Sequence, residues 1–331
     1  MIYSMIIPVY NRPQEMDELM SSIANQDYKG FAEVVIVEDG STLKSDCVIE
    51  KYKRQLTIKY YEKENSGPGA SRNYGMARAK GDYFIILDSD VILPKHYLTK
   101  VNEQLKKYYT DGFGGPDAAH SNFTPLQKAI NYSMTSFLTT GGIRGKRKGI
   151  GRFQPRSFNM GISRKAFKVT NGFSDVRVGE DIDFTFRLWE AGFETQLIQE
   201  AFVYHKRRNT IKNFFKQTYA FGMARAKLNN RYPKEAKWIY WLPALFIIGI
   251  DISMLFFLLG YWQFITFYGF YFIAIFLTAT VENKNLKVGF LSMITSLIQF
   301  LGYSLGFLVS QIFTKNNTKK NRIRSKHSSD K

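Results

Sequence analysis

The sequence predicts an α/β domain on a doubly wound sheet over residues 1–230, about three hydrophobic helices over 231–313, and a basic disordered tail over 314–331. Three observations carry this prediction. Short apolar runs of strand length alternate with stretches of helical spacing through the first part of the chain. Several of those runs end abruptly in carboxylates. From Trp238 the composition changes, and Trp238 to Ala279 holds one acid, Asp251, and no Lys or Arg.

Taken in order, Tyr3 to Val9 is an apolar run ended by Tyr10-Asn11-Arg12-Pro13. Met16, Leu19, Met20 and Ile23 then recur at helical spacing, with Pro13 placed for a first turn. Ala32 to Val37 is a β-branched run ending in Glu38-Asp39-Gly40-Ser41, and Ile58 to Tyr61 is a weaker strand. Asn65 to Asn73 is a glycine-rich turn leading into a helix. Tyr83 to Leu87 is a buried strand that ends in Asp88-Ser89-Asp90. Residues i and i+2 of an extended chain share a face, so Asp88 and Asp90 can converge just past the strand. Ligands of open α/β sheets bind at that edge. Two hard oxygens there suit Mg²⁺ or Mn²⁺ carrying phosphates. Alternation of strand and helix predicts a parallel sheet, covered on both faces.

The middle is less regular. Gly141 to Phe158 contains Arg144, Lys146, Arg147, Lys148, Arg152 and Arg156 and no acid. Its composition predicts a loop, and its charge an anion contact. Phe158 to Ser163 reads as a strand beside the site. Gly179-Glu180-Asp181 opens a strong helix, with Ile182, Phe186 and Trp189 on one stripe and Gly192 placed to end it. Thr195 to Val203 is extended and leads to His205. Ile211 to Leu228 is a basic amphipathic helix suited to a membrane surface or to ordinary packing.

Trp238 to Ala279 is long enough for two spans of about 20 residues, with a hairpin at Gly260-Tyr261-Trp262-Gln263. Val288 to Phe313 is a third apolar segment. Three spans from a cytosolic domain would put the basic tail outside, against the positive-inside tendency, so the side of the tail stays open. Asp251 is placed to face a bundle interior or a polar headgroup.

Net charge is +18, which favours anionic partners. The Lys/Arg–aromatic motifs of common nucleic-acid modules are missing, which leaves membrane lipid and phosphate compounds and no nucleic acid. A single cysteine, Cys47, rules out an intrachain disulfide framework. No Walker lysine motif, full dinucleotide fingerprint or G-x-S-x-G elbow occurs.

The order of the motifs is more specific than any one of them. IIPVYNRP at Ile6–Pro13, VVIVEDGS at Val34–Ser41 and NSGPGASRNYGMARAKGDYFIILDSD at Asn65–Asp90 are followed by FNMGISRKAF at Phe158–Phe167 and GEDIDFTFRLWEAGFE at Gly179–Glu194. Together they resemble the family 2 glycosyltransferases, inverting enzymes of the GT-A fold, over roughly Met1 to Leu228. The resemblance implies a Rossmann-like mixed sheet flanked by helices, and a nucleotide-sugar donor, here a UDP-sugar. It implies that Asp39 contacts the nucleobase in a pocket lined by Pro8 and Tyr10, with Glu38 in place of the usual first Asp. Arg72 lies near the base or diphosphate, and Asp88 with Ser89 contacts the ribose or sugar. Asp90 ligates the metal and His205 supplies a further metal or diphosphate contact. Asp181 is the general base, positioned with Glu180. Asn159, Met160, Arg152 and Arg156 are expected on the acceptor or gating side.

The expected activity is inverting sugar transfer to a lipid-linked or membrane-proximal glycan acceptor in envelope polysaccharide synthesis. The enzyme would sit at the inner membrane with its catalytic domain in the cytosol. A processive polysaccharide synthase is the same-class alternative, against which no Gln-x-x-Arg-Trp motif occurs. A nucleotidyltransferase or a non-catalytic membrane scaffold are the alternatives of another class.

Overall fold

The structure is a computed structural model that describes residues 1–30, 32–141 and 152–329, with side chains as far as Phe313. Residues Arg144, Lys146, Arg147 and Lys148 of the basic segment lie outside the described residues. The chain forms two units, one of Met1–Phe123 and Thr135–Lys206, the other of Thr124–Met134 and Arg207–Lys331.

The first half runs β1 (Tyr3–Val9), α1 (Pro13–Ala24), β2 (Ala32–Asp39), α2 (Asp46–Tyr52), β3 (Thr57–Lys63), α3 (Pro68–Arg78), β4 (Tyr83–Leu87) and β5 (Val91–Ile92). It continues with α4 (Tyr97–Lys107), β6 (Gly112–Gly114), β7 (Asp117–Ala118), α5 (Pro125–Thr135), α6 (Phe137–Thr140), β8 (Asn159–Ser163) and α7 (Arg164–Thr170). Then come α8 (Glu180–Glu190), β9 (Thr195–Leu197), β10 (Val203–His205), α9 (Ile211–Arg231), α10 (Leu242–Leu258), α11 (Gln263–Asn283) and α12 (Leu286–Ser329).

The main sheet has the order β3-β2-β1-β4-β8-β6-β9. Period-2 alternation sends its side chains into two cores. Tyr3, Met5, Ile7, Val34, Ile36, Ile85 and Leu87 pack with Met16, Leu19 and Met20 of α1 and Leu98 and Val101 of α4. Ile6, Val35, Phe84 and Ile86 pack on the other face with Met76 of α3 and Phe184 and Leu188 of α8. The near-continuous apolar strands follow from this double burial. The sheet is not wholly parallel. β1, β2, β3 and β4 are, but β8 runs antiparallel between β4 and β6, pairing Leu87 with Asn159 and Tyr83 with Ser163. The long excursion after β4 returns the chain from the far edge, so β8 enters in the opposite sense.

A small second sheet, β5-β10-β7, closes over the β4 end. β10 is antiparallel to β5, with His205 opposite Val91, and parallel to β7, with Val203 opposite Asp117. That pairing puts His205 beside Asp90.

In the second unit, three helices are long and apolar enough to cross a membrane: Trp238–Leu258, Gln263–Asn283 and Leu286–Phe313. Gly260, at φ +91°, makes the expected hairpin between the first two, a conformation open to glycine. The unit also contains α9 and nearly all of α5. Ile130 and Met134 of α5 pack with Phe214 and Phe221 of α9 and Ile298 of α12. Ser133 Oγ lies 2.7 Å from Thr295 Oγ1 and 3.0 Å from Ser296 Oγ. The backbone of α12 continues helical to Ser329, where the composition alone predicts disorder.

Candidate functional site

The site forms along the carboxyl edge of β1, β2 and β4, as the acidic strand ends require. At the β4 end, ligand atoms of Asp88, Asp90 and His205 all lie within 4.8 Å of one another. Asp90 is the most constrained member. Arg12, from the turn after β1, donates to its Oδ2. His205 Nε2 stands 3.4 Å from its Oδ1. That Oδ1 is buried and accepts no well-formed hydrogen bond among the described residues. Burial alone would raise the Asp90 carboxyl, but His205 and Arg12 outweigh it and hold the group well below the usual carboxylate range. An orphaned buried oxygen beside a second carboxylate and an imidazole nitrogen is an O, O, N donor set, which fits Mg²⁺ or Mn²⁺. His205 is backed by Asp117, whose Oδ2 lies 4.0 Å from Nδ1, and its ring lies against Phe158 at 4.6 Å between centroids.

Arg72 links this cluster to the start of α8. Its guanidinium is 3% exposed and spans two carboxylates, Nη2 to Asp88 Oδ1 at 2.7 Å and Nη1 to Glu180 Oε1 at 3.0 Å. It also stands over the Phe173 ring at 5.2 Å. Glu180 and Asp181 occupy the first turn of α8, where the helix dipole favours acidic groups, after Gly179 in the left-handed region at φ +81°. Burial, and then the neighbouring Asp181, push the Glu180 carboxyl above its ordinary value, while Arg72 pulls it back. Asp181 Oδ1 accepts from the Ile182 N–H at 2.8 Å, and its Oδ2 faces Arg156 Nη1 at 3.7 Å.

At the β2 end, Asp39 is tied to the turn that opens α3. Its oxygens accept from the N–H groups of Ser66 and Gly67, each at 2.9 Å, and Lys63 donates to Oδ1. Burial opposes ionisation there, but Lys63 and the Ser66 N–H hold Asp39 below the usual range. Tyr10 is half exposed just past β1, and Pro8 lies within the buried strand. Ser89 is buried between the two aspartates.

Three of the expected site residues have these surroundings in the structure. Glu38, expected with Asp39 in the donor pocket, accepts from Ser41 Oγ, the Ser45 N–H and Tyr60 OH. Adjacent strand residues point to opposite faces, so its carboxylate organises the β2 turn instead. Asn159, expected on the acceptor side, is fully buried, accepting from Tyr97 OH at 2.6 Å and donating to Ala201 O at 2.7 Å. Met160 is a core residue packed with Ile6 and Phe84. Both follow from β8 being an internal strand. Arg156 does reach the site, and Arg152 stands over Trp189 at 5.7 Å. Sequence reasoning missed Arg12, Lys63, Asp117 and Ser157. Arg12 carried a signal, since it follows the first strand end directly. The other three are identified by pairing in space.

Solved structures share this fold. The mannosyltransferase PcManGT from Pyrobaculum calidifontis, in complex with GDP-Man and Mn²⁺, superposes with a TM-score of 0.60 at 13% identity over 95% of this chain and 87% of its own. Staphylococcus aureus TarS with UDP-GlcNAc gives 0.51 at 18% identity, over 93% and 90%. At such identities the likeness is one of fold, and the fold is that of the GT-A glycosyltransferases. The model described as Glycosyl transferase family 2 matches residues 4–170, half of the chain, and the protein belongs to that family. Curated relatives include the Staphylococcus aureus poly(ribitol-phosphate) beta-N-acetylglucosaminyltransferase TarS, 34% identical over 34% of this chain and 20% of its own length. An uncharacterized glycosyltransferase of Rickettsia conorii is 42% identical over 42% of this chain and 22% of its own. The chain thus matches about a fifth of the length of these relatives.

Proposed function

We propose that the protein transfers a sugar, with inversion, from a UDP-sugar to a lipid-linked or membrane-proximal glycan acceptor in envelope glycan synthesis. The observation that carries this reading is the Asp88–Asp90–His205 cluster, joined through Arg72 to Glu180 and Asp181. The names of two relatives, TarS and the Streptococcus pneumoniae glycosyltransferase GlyA, support the glycan reading. The three apolar helices support a membrane location, with the catalytic unit on the cytosolic side where nucleotide sugars are made.

The residues divide the work. Pro8, Tyr10 and Asp39 form the nucleobase end. Asp88, Asp90 and His205 would hold a divalent ion, which when bound supplies positive charge against the leaving diphosphate. Arg72 fixes Asp88 relative to Glu180, and so sets the spacing between the donor site and the base. Asp181 accepts the acceptor's hydroxyl proton at Oδ2. As it does so, the acceptor oxygen bonds to the anomeric carbon from the side opposite the diphosphate. The C–O bond to the diphosphate breaks, and its electron pair leaves with the nucleoside diphosphate. One displacement of this kind inverts the anomeric centre.

The test is a screen of nucleotide sugars with the full-length protein in detergent and Mn²⁺. For the donor that is turned over, Asp181→Asn is expected to abolish transfer and keep metal-dependent donor binding. Asp90→Ala is expected to weaken that binding by at least about tenfold, the scale on which even supporting residues act at metal sites. Near-normal turnover in Asp181→Asn would remove the base assignment.

A further inference from the structure

Asp181, read above as the base, has a neighbour at each oxygen. Oδ1 accepts from the Ile182 N–H at 2.8 Å, and Oδ2 faces Arg156 at 3.7 Å. Both side chains are largely buried, Arg156 at 12% exposed and Asp181 at 14%. An acceptor hydroxyl that reaches Oδ2 therefore arrives beside this guanidinium. The neighbouring Glu180 is already engaged at one oxygen. Glu180 Oε1 is held by Arg72 at 3.0 Å, with Ser157 Oγ at 3.5 Å. A guanidinium left without an anion in such a place is strongly disfavoured. A molecule that draws the guanidinium away from Asp181 does so best with an anion of its own. The donor's diphosphate belongs to the metal cluster in the functional reading, so the anion has to come with the acceptor.

We propose that the acceptor carries an oxyanion, a phosphate or a carboxylate, close to the attacking hydroxyl, and that Arg156 moves from Asp181 to that oxyanion when the acceptor binds. The proposal rests on Asp181 being the base. Arg156 then has two duties. Without acceptor it blocks Oδ2, so water is not activated and the sugar donor is not wasted. With acceptor it fixes the oxyanion in bidentate fashion, the geometry that distinguishes arginine from lysine. Transfer then proceeds as above, the acceptor proton passing to the released Oδ2.

The test measures UDP release from the turned-over donor by the full-length protein, with Mn²⁺. The added compounds are glycerol, glycerol 3-phosphate, glucose and glucuronate. Glycerol 3-phosphate or glucuronate should stimulate release in the wild type, while glycerol and glucose should not. Whichever anionic compound stimulates identifies the oxyanion as phosphate or carboxylate. Arg156→Gln should raise release in buffer alone by roughly tenfold, the low end for a charge-assisted contact, and should lose the anion stimulation. Arg156→Lys should retain the block on hydrolysis but show a raised KM for the anionic compound. Equal stimulation by neutral and anionic compounds, or unchanged hydrolysis in an Arg156→Gln protein that melts like the wild type, would overturn the proposal. Failure of the base reading shows differently: Asp181→Asn would then keep the hydrolysis seen in Arg156→Gln when the two are combined.

Discussion

Replacing Arg72 by Gln removes a buried cation shared by the two halves of the site. Arg72 is 3% exposed, while its partners Asp88 and Glu180 are 31% and 13% exposed. Breaking a buried ion pair costs about 3–5 kcal/mol, and exposed pairs cost far less. With one partner nearly buried and the other a third exposed, the low end applies, about 3 kcal/mol. For a unit of 150–250 residues that is a melting-temperature drop of roughly 6–12 °C. Thermal melting of the detergent-solubilised full chain, followed by tryptophan fluorescence, measures it. The deficit also has a pH signature. The Glu180 carboxyl is already raised by burial and Asp181, with Arg72 opposing the rise. A raised carboxyl contributes stability that is full below the ordinary glutamate range and is lost as pH rises through its folded value. Without Arg72 that folded value climbs further, so an ionised Glu180 costs the variant more stability at pH 8 than at pH 5. The variant should be hurt more at pH 8. Arg72→Lys should fall between, because one ammonium cannot span both carboxylates. A drop of less than about 2 °C, or one that is the same at both pH values, would show that Arg72 does not balance these groups.

Two further predictions concern parts away from the chemistry. Glu33 is 1% exposed, accepts from Ser4 Oγ at 2.6 Å and from the Lys80 N–H, and pairs with Lys59 at 3.1 Å. Burial opposes its ionisation, but these partners hold the carboxyl below its ordinary value. Its stabilisation is present above the ordinary glutamate range and lost as pH falls through the lowered folded value. Glu33→Gln should cost about 1–2 kcal/mol at pH 7, with the gap to the wild type closing in acid melts. In the second unit, a Cβ on Gly222 would stand 2.1 Å from Tyr303 O, whereas one on Gly269 would meet nothing within 4 Å. Gly222→Ala should therefore destabilise the α9–α12 packing by about 1–3 kcal/mol, and Gly269→Ala should not, as read by melting temperature and yield of folded protein from membranes.

The strands were legible because double burial leaves near-continuous apolar runs, and because Asp39, Asp88 and Asp90 each fall at a strand's carboxyl end. The turn glycines carried the same kind of local signal: Gly179, Gly192 and Gly260 all take positive φ. What stayed hidden depends on pairing across the chain. The sense of β8 is set by the 71-residue gap between Leu87 and Asn159, which no local pattern records. Asn159 and Met160 sit next to a basic loop in sequence but in the core in space. Helices α5 and α9 show the same limit. Their apolar faces are readable, but their partners are α11 and α12, more than 60 residues further on in each case. Amphipathic spacing says that a face is covered and not what covers it.

The site's acids also show why a strongly basic chain has an acidic active edge. Asp39, Asp88, Asp90, Glu180 and Asp181 would repel one another if left bare along one sheet edge. Each instead faces a basic side chain of the protein: Lys63 at Asp39, Arg72 at Asp88 and Glu180, Arg12 and His205 at Asp90, Arg156 at Asp181. These bases come from five separate segments, so the arrangement holds the edge together before any ligand arrives. Loading is then an exchange of cations and anions, not the filling of a bare acidic pocket. Arg12 is the sharpest case. It secures Oδ2 of Asp90 and leaves Oδ1 buried toward Asp88 and His205, with no well-formed hydrogen bond among the described residues. The carboxylate is thereby oriented for one-oxygen ligation, with its second oxygen already satisfied. That division of one carboxylate between an arginine and an open position is the feature of this edge that a surface cluster of acids would lack.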